Sequence, residues 1–230
     1  MGEKKQQEKT VAQWKKIVVV GACVLFVVLM IVSGMGYGWI SAFAVVKPGD
    51  VALIDFTLYN AGGNPIVTTD QQLFKQAAAQ GKPVLFARQI TLTSNQSLAQ
   101  PLYPVQVYTT SSGWANQFAL FRPEYEAMSS GIVGMKANEQ KRITIPSTVS
   151  MSQLWSPEQL KRNGVNLSDI NVGDVLTMGV SDNPEEMATN RSSITYMRVG
   201  EVSRKSPQGV VVEFGYPAVD VRVVSINRNN

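Results

Sequence analysis

The chain has 230 residues, 44% of them hydrophobic and none of them histidine, which suffices for one packed domain or two small ones and excludes a disordered chain, imidazole catalysis and His-dependent zinc. Its charge of +4 is confined to the start, where Lys4, Lys5, Lys9, Lys15, Lys16 and Lys47 stand against Glu3 and Glu8; the 15 basic and 15 acidic residues that follow leave no electrostatic footprint for nucleic acid. The single cysteine, Cys23, excludes an internal disulfide.

No residue from Ile17 to Val46 is charged, and Ile17 to Val32 is almost continuously Val, Ile, Leu, Phe and Met. Roughly 20 such residues span a bilayer core. The pattern predicts a cytoplasmic basic segment at 1–16 and an uncleaved transmembrane signal anchor at 17–46. Five lysines before the span place the N-terminus in the cytoplasm and the remaining chain on the outer side, as a single-pass membrane protein.

Val51 to Tyr59 alternates like a strand, with Ala52, Ile54, Phe56 and Leu58 on one face, and Asn60 to Pro65 supplies turn residues. A helix is predicted next, with Thr69 as its cap, Leu73 and Phe74 in its body and Gly81 at its end. Val84 to Leu92 and Tyr103 to Tyr108 are β-rich, Thr109 to Gly113 is a polar loop, Pro123 to Ser130 reads as a short helix and Lys141 to Ile145 as a strand. Ser156, Pro157 and Gln159 carry the cap, first-turn proline and capping-box signals of a further helix closed by Gly164. Strand-like runs follow at Gly173 to Val180, Ile194 to Ser203, Val210 to Phe214 and Val219 to Ile226. Ser181 to Glu186 reads as a solvated acidic hairpin tip rather than a calcium loop, since it lacks the EF-hand spacing.

The run from Gly131 to Pro146 orders an apolar helix end, a glycine turn and a basic, β-branched strand ending in Ile145-Pro146. It resembles the FKBP family of peptidyl-prolyl isomerases, with Asn138 standing where a glycine is usual. Pro48 to Thr69 is similar to that family's first strand and turn. The excursion after Pro146, and the return through Phe214 to Val224, resemble the SlyD-type members, whose sheet is interrupted by a small "insert-in-flap" domain.

The resemblance implies an α+β fold: an FKBP-like antiparallel sheet wrapped on a short helix at 47–152 and 217–227, with a small β-rich insert at 153–216. It implies prolyl isomerisation and folding help for unfolded or proline-containing polypeptides, by holding a twisted X-Pro amide in an apolar pocket without nucleophile, metal or cofactor. By position the pocket falls on Phe56, Ile66, Val67, Val105, Tyr125, Met128, Ile132 and Val219, and a client-binding face of the insert on Val175, Met178, Ile194 and Tyr196. Val67 replaces the family's Asp, and much of the aromatic wall is missing. A catalytically weak peptide-binding or scaffold domain is therefore the alternative, and a structural component of an envelope complex a third.

Overall fold

Strict alternation along Val51–Tyr59 (β1) sends Ala52, Ile54, Phe56 and Leu58 to a single buried face, as the period of two requires. This strand organises the fold. Ala218–Asn227 (β12) runs antiparallel to it along its full length, and β12 in turn pairs with Gln140–Thr144 (β7). On the other side β1 pairs with Ile90–Thr93 (β4) over one half and Pro65–Thr68 (β2) over the other. The structure is a computed structural model that describes residues 18–31, 33, 44–110, 112–146, 151–181 and 195–227.

The sheet continues from β2 through Leu85–Ala87 (β3), Leu102–Thr109 (β5) and Gly113–Phe121 (β6) to Thr195–Ser206 (β10), Gly209–Glu213 (β11) and Ser152–Trp155 (β8). Val175–Ser181 (β9) pairs with β10 off this path. Most joints are antiparallel, but β2–β3 and β6–β10 are parallel, and among the described residues the latter pairs Met197 with Phe118.

The first helix (α1) includes residues 18–31 and 33. Gln71–Ala79 (α2) is capped by Asp70, whose carboxylate accepts from the Gln72 and Leu73 N–H groups. Thr69, the cap expected from the sequence, instead accepts from the Phe56 N–H and fastens β1. Arg122–Gly131 (α3) carries Pro123 in its first turn and packs on β5, β6 and β7. Pro157–Arg162 (α4) has the predicted box, with Ser156 and Gln159 exchanging bonds.

Two expectations are corrected. Among the described residues no helix is long and apolar enough to cross a membrane. The described helical residues of the apolar run are 18–31 and 33, and at ~1.5 Å per residue the stretch 18–31 rises about 21 Å against a hydrocarbon core of ~30 Å. The transmembrane signal anchor at 17–46, the membrane partner and the single-pass, N-terminus-in localisation therefore do not stand. Most of 34–46 in the expected span lies outside the described residues.

The α+β expectation gives way to a mostly β architecture, a curled half-barrel sheet whose continuous path has ten strands, with β4 and β9 paired off it. The physical reason is that the excursion does not stand off from the sheet: β10 bonds to β6, and β11 and β8 extend the same ladder. By contacts the chain divides into 1–44 and 45–230.

Several residues of the Gly131 to Pro146 run have a structural cause. Asn138 sits in the left-handed region at φ 65, a conformation tolerated by Gly and Asn, and its N–H bonds to Val223 O at 2.7 Å. At Gly131 a Cβ would run into Ile143 of β7. Gly200 is also tightly enclosed: its Cβ would lie 2.6 Å from the Phe214 ring and 2.7 Å from Val212. Gly200→Ala should therefore lower stability by about 1–3 kcal/mol through overpacking, read as a lower urea midpoint. An unchanged midpoint would show that Phe214 moves aside freely.

Candidate functional site

Arg198 lies on β10 between Tyr196 and Gly200, on the face that period two turns inward, and it is fully buried. A guanidinium there must find acceptors for five N–H groups. Nε donates to Phe214 O at 3.0 Å; Nη1 donates to Ala119 O and to Glu124 Oε2, both at 2.8 Å; Nη2 donates to Phe214 O at 2.8 Å and to Glu124 Oε1. Glu124, also buried, is in the first turn of α3, and its Oε2 accepts the Phe121 N–H at 2.9 Å, so the same carboxylate closes the helix start. The bidentate pair is the strong geometry for carboxylate and guanidinium.

Rings surround the cation. The Arg198 Cζ is 3.9 Å from the centre of Tyr216, 4.3 Å from Phe121 and 5.5 Å from Phe118. Burial acts to lower the guanidinium's pKa, but Glu124 and then Tyr216 outweigh it and hold it above its ordinary value. The Tyr216 hydroxyl donates to Val199 O at 2.7 Å, and its pKa is pushed up to about 12, first by burial and then by Glu124, against the pull of Arg198. No buried side-chain N or O among the described residues lacks a partner.

The eight residues expected to form a proline pocket do come together, but inside the main core. Phe56, Ile66, Val67, Val105, Tyr125, Met128, Ile132 and Val219 are all buried in one cluster, which also holds Phe118 and Tyr216. Tyr125 is 6% exposed and its ring lies 5.0 Å from Tyr103, so it is a core aromatic rather than a rim one. On the expected client face, Val175 is half-buried against this main cluster and Met178 against a second one built from Leu160, Ile170, Val202, Val210, Val212 and Phe214. Tyr196 is buried with Leu102 and Ala119. Ile194 and the acidic tip after Ser181 lie outside the described residues.

Two open clefts lie elsewhere. One, of about 440 Å³, is polar and sits on the solvent side of β1 and β12 beside the start of α2. There Asp55 is paired with Arg222 and bonded by Gln89 at 2.9 Å, and Asp220 accepts the Tyr59 hydroxyl at 2.9 Å. Burial first, and then Asp220, push the Tyr59 pKa up to about 12. Phe56 is the one expected pocket residue along its wall. The other cleft, of about 460 Å³, runs between β8, α4 and β9, with Trp155 and Met178 as its apolar members and Gln153, Gln159 and Arg162 around them. Leu154, 55% exposed on the end strand β8, adds apolar surface to the same element.

Sequence reasoning missed the Arg198–Glu124 pair. The available signal was Arg198 itself, in step with Tyr196 and Val202 on an otherwise apolar face. Among the described residues no group of acidic, histidine or cysteine side chains is placed to hold a metal. No model of a known protein family matches the chain, and no curated protein is detectably similar to it.

The buried phenol carries a pH signature. An unfolded tyrosine ionises near ~10, whereas folded Tyr216 keeps its proton up to about 12. Between these values the folded chain binds more protons than the unfolded one, so stability is complete below pH ~10 and is lost as pH rises towards 12. The contribution is roughly 2–3 kcal/mol. In urea titrations from pH 9 to 12, Tyr216→Phe should shed this part of the decline, with the gap between variant and parent narrowing by about 2 kcal/mol. A gap constant with pH would mean that the phenol ionises in place.

Proposed function

We propose that this chain is an FKBP-like polypeptide-binding folding helper with slow turnover of X-Pro bonds. The observation that carries the reading is an order of elements: α3 packs on β7, the chain then leaves through Met151 to Tyr216, and it returns as β12 between β7 and β1. That is the arrangement the resemblance of Gly131 to Pro146 and Phe214 to Val224 implies. The left-handed Asn138 supports it, because it explains how the chain does without the usual glycine.

The excursion is the client-binding part in this reading. Its open cleft offers the indole of Trp155 and the thioether of Met178 between amide and guanidinium groups, a mixture suited to extended chain with alternating apolar side chains and backbone amides. The flexible Met adapts to different side chains. Isomerisation is slow because the apolar face that would desolvate and twist an X-Pro amide is filled by the chain's own side chains.

Burial of all eight expected pocket residues favours a second reading, a binding module with no turnover. The uncatalysed reaction takes tens to hundreds of seconds at 25 °C, so even a severalfold acceleration is measurable. The test uses the full chain with a short X-Pro peptide, a proline-limited refolding protein and a permanently unfolded client. The first reading predicts background rates on the peptide, faster refolding of the protein and binding of the unfolded client. Client binding without acceleration establishes the second reading. Neither binding nor acceleration would overturn both.

A further inference from the structure

The position of Arg198 is costly for a residue that only fills space. Taking a guanidinium and a carboxylate out of water costs several kcal/mol per ion, and apolar side chains of similar volume often replace such pairs without loss. The best-attested use of a buried pair is to fix one arrangement against another. Here the arrangement is the seat of β10. Among the described residues its backbone pairing with β6 is Met197 opposite Phe118, and the adjacent Arg198 reaches Ala119 O on β6, Glu124 on α3 and Phe214 O on the return segment.

The rings beneath the guanidinium are part of a larger apolar face. Phe118 and Tyr216 stack at 6.2 Å and belong to the cluster that contains Phe56, Met128, Ile132 and Val219. Glu124 immediately precedes Tyr125 of that cluster. Arg198 therefore sits beside this apolar cluster, which the functional reading would need for an X-Pro segment, and its neighbours on β10 close onto it: Val199 is buried in the cluster and Met197 packs against it.

We propose that Arg198 is an autoinhibitory latch: paired with Glu124 inside the cage of Phe118, Phe121 and Tyr216, it holds β10 over this apolar face and excludes peptide from it. Release of the pair uncovers a site for an extended peptide with a proline or similar apolar side chain. The inference rests on the FKBP-like reading for the identity of the ligand, and on the observed network for the latch.

The test compares the unaltered full chain with the double variant Glu124→Ala/Arg198→Ala, which removes the latch without leaving an orphan charge. The probe is a fluorescein-labelled Ala-Leu-Pro-Phe peptide followed by anisotropy, with fold checked by circular dichroism. The latch predicts affinity at least about tenfold higher in the double variant, a factor well above the scatter between related complexes. It also predicts that millimolar guanidinium chloride, far below denaturing concentration, refills the cage and reverses the gain. A folded double variant with unchanged affinity overturns the latch.

Should the double variant not fold, Glu124→Gln gives an independent reading by amide exchange. The latch predicts that amides 196–200 exchange about tenfold faster while those of β1 and β12 do not change, a local opening. Equal acceleration everywhere overturns it. The functional reading fails separately: an unaltered chain that neither binds unfolded client nor speeds refolding sinks that reading, whatever the double variant does.

Discussion

A guanidinium without access to water has to satisfy every N–H it carries, and in this fold that single requirement places four segments. Arg198 on β10 takes Ala119 O at the end of β6, both carboxylate oxygens of Glu124 in the first turn of α3, and Phe214 O where the excursion returns towards β12. Glu124 is held in turn by the Phe121 N–H, so the ion pair and the helix cap share one carboxylate. The neighbouring close fits follow the same logic. Gly200 leaves room for the Phe214 ring whose backbone oxygen Arg198 uses, and Tyr216 ties its hydroxyl to Val199 while its ring lies under the cation.

This network separates two kinds of surface. Behind it, residues of β1, β12 and α3 are buried together in one apolar core. Beyond it, the cleft between β8, α4 and β9 stays open and presents Trp155 and Met178 beside polar groups. In the proposed reading, binding of extended chain at the open cleft and restricted chemistry at the closed face both follow from this packing. Excursion and main sheet share a continuous ladder, so a change in the seat of β10 would be felt by both.

Much of the local structure was legible from the sequence because it rests on local rules. The alternation in Val51–Tyr59 gave β1 and its inward face, and Ser156, Pro157 and Gln159 gave the start of α4. The readings that failed depended on length or on distant partners. An uncharged run from Ile17 says how apolar a segment is, but not how far its helix extends. Thr69 and Asp70 are both competent caps, and the choice fell to Asp70 because the Phe56 N–H, thirteen residues away, engaged Thr69. Seven of the expected pocket residues lie on β1, β2, β5, α3 and β12, with Ile132 just past the end of α3, and all eight are buried. Whether such a face is pocket or core is decided by what packs on it, and the packing here brings in distant residues such as Val199 of β10 and Tyr216 of the return segment. Arg198 looked like any strand cation until its partner at Glu124 was in place.

The claim at the centre of this account is that the Glu124–Arg198 pair, rather than the short β6–β10 backbone seam, fixes the excursion to the rest of the fold. A double-mutant cycle on the full chain, with Glu124→Gln, Arg198→Met and the double variant unfolded in urea, measures it directly. The account predicts that each single change costs about 3–5 kcal/mol by leaving a buried partner unpaired, and that the double variant loses at least ~2 kcal/mol less than the two combined. Small single losses that simply add would contradict it.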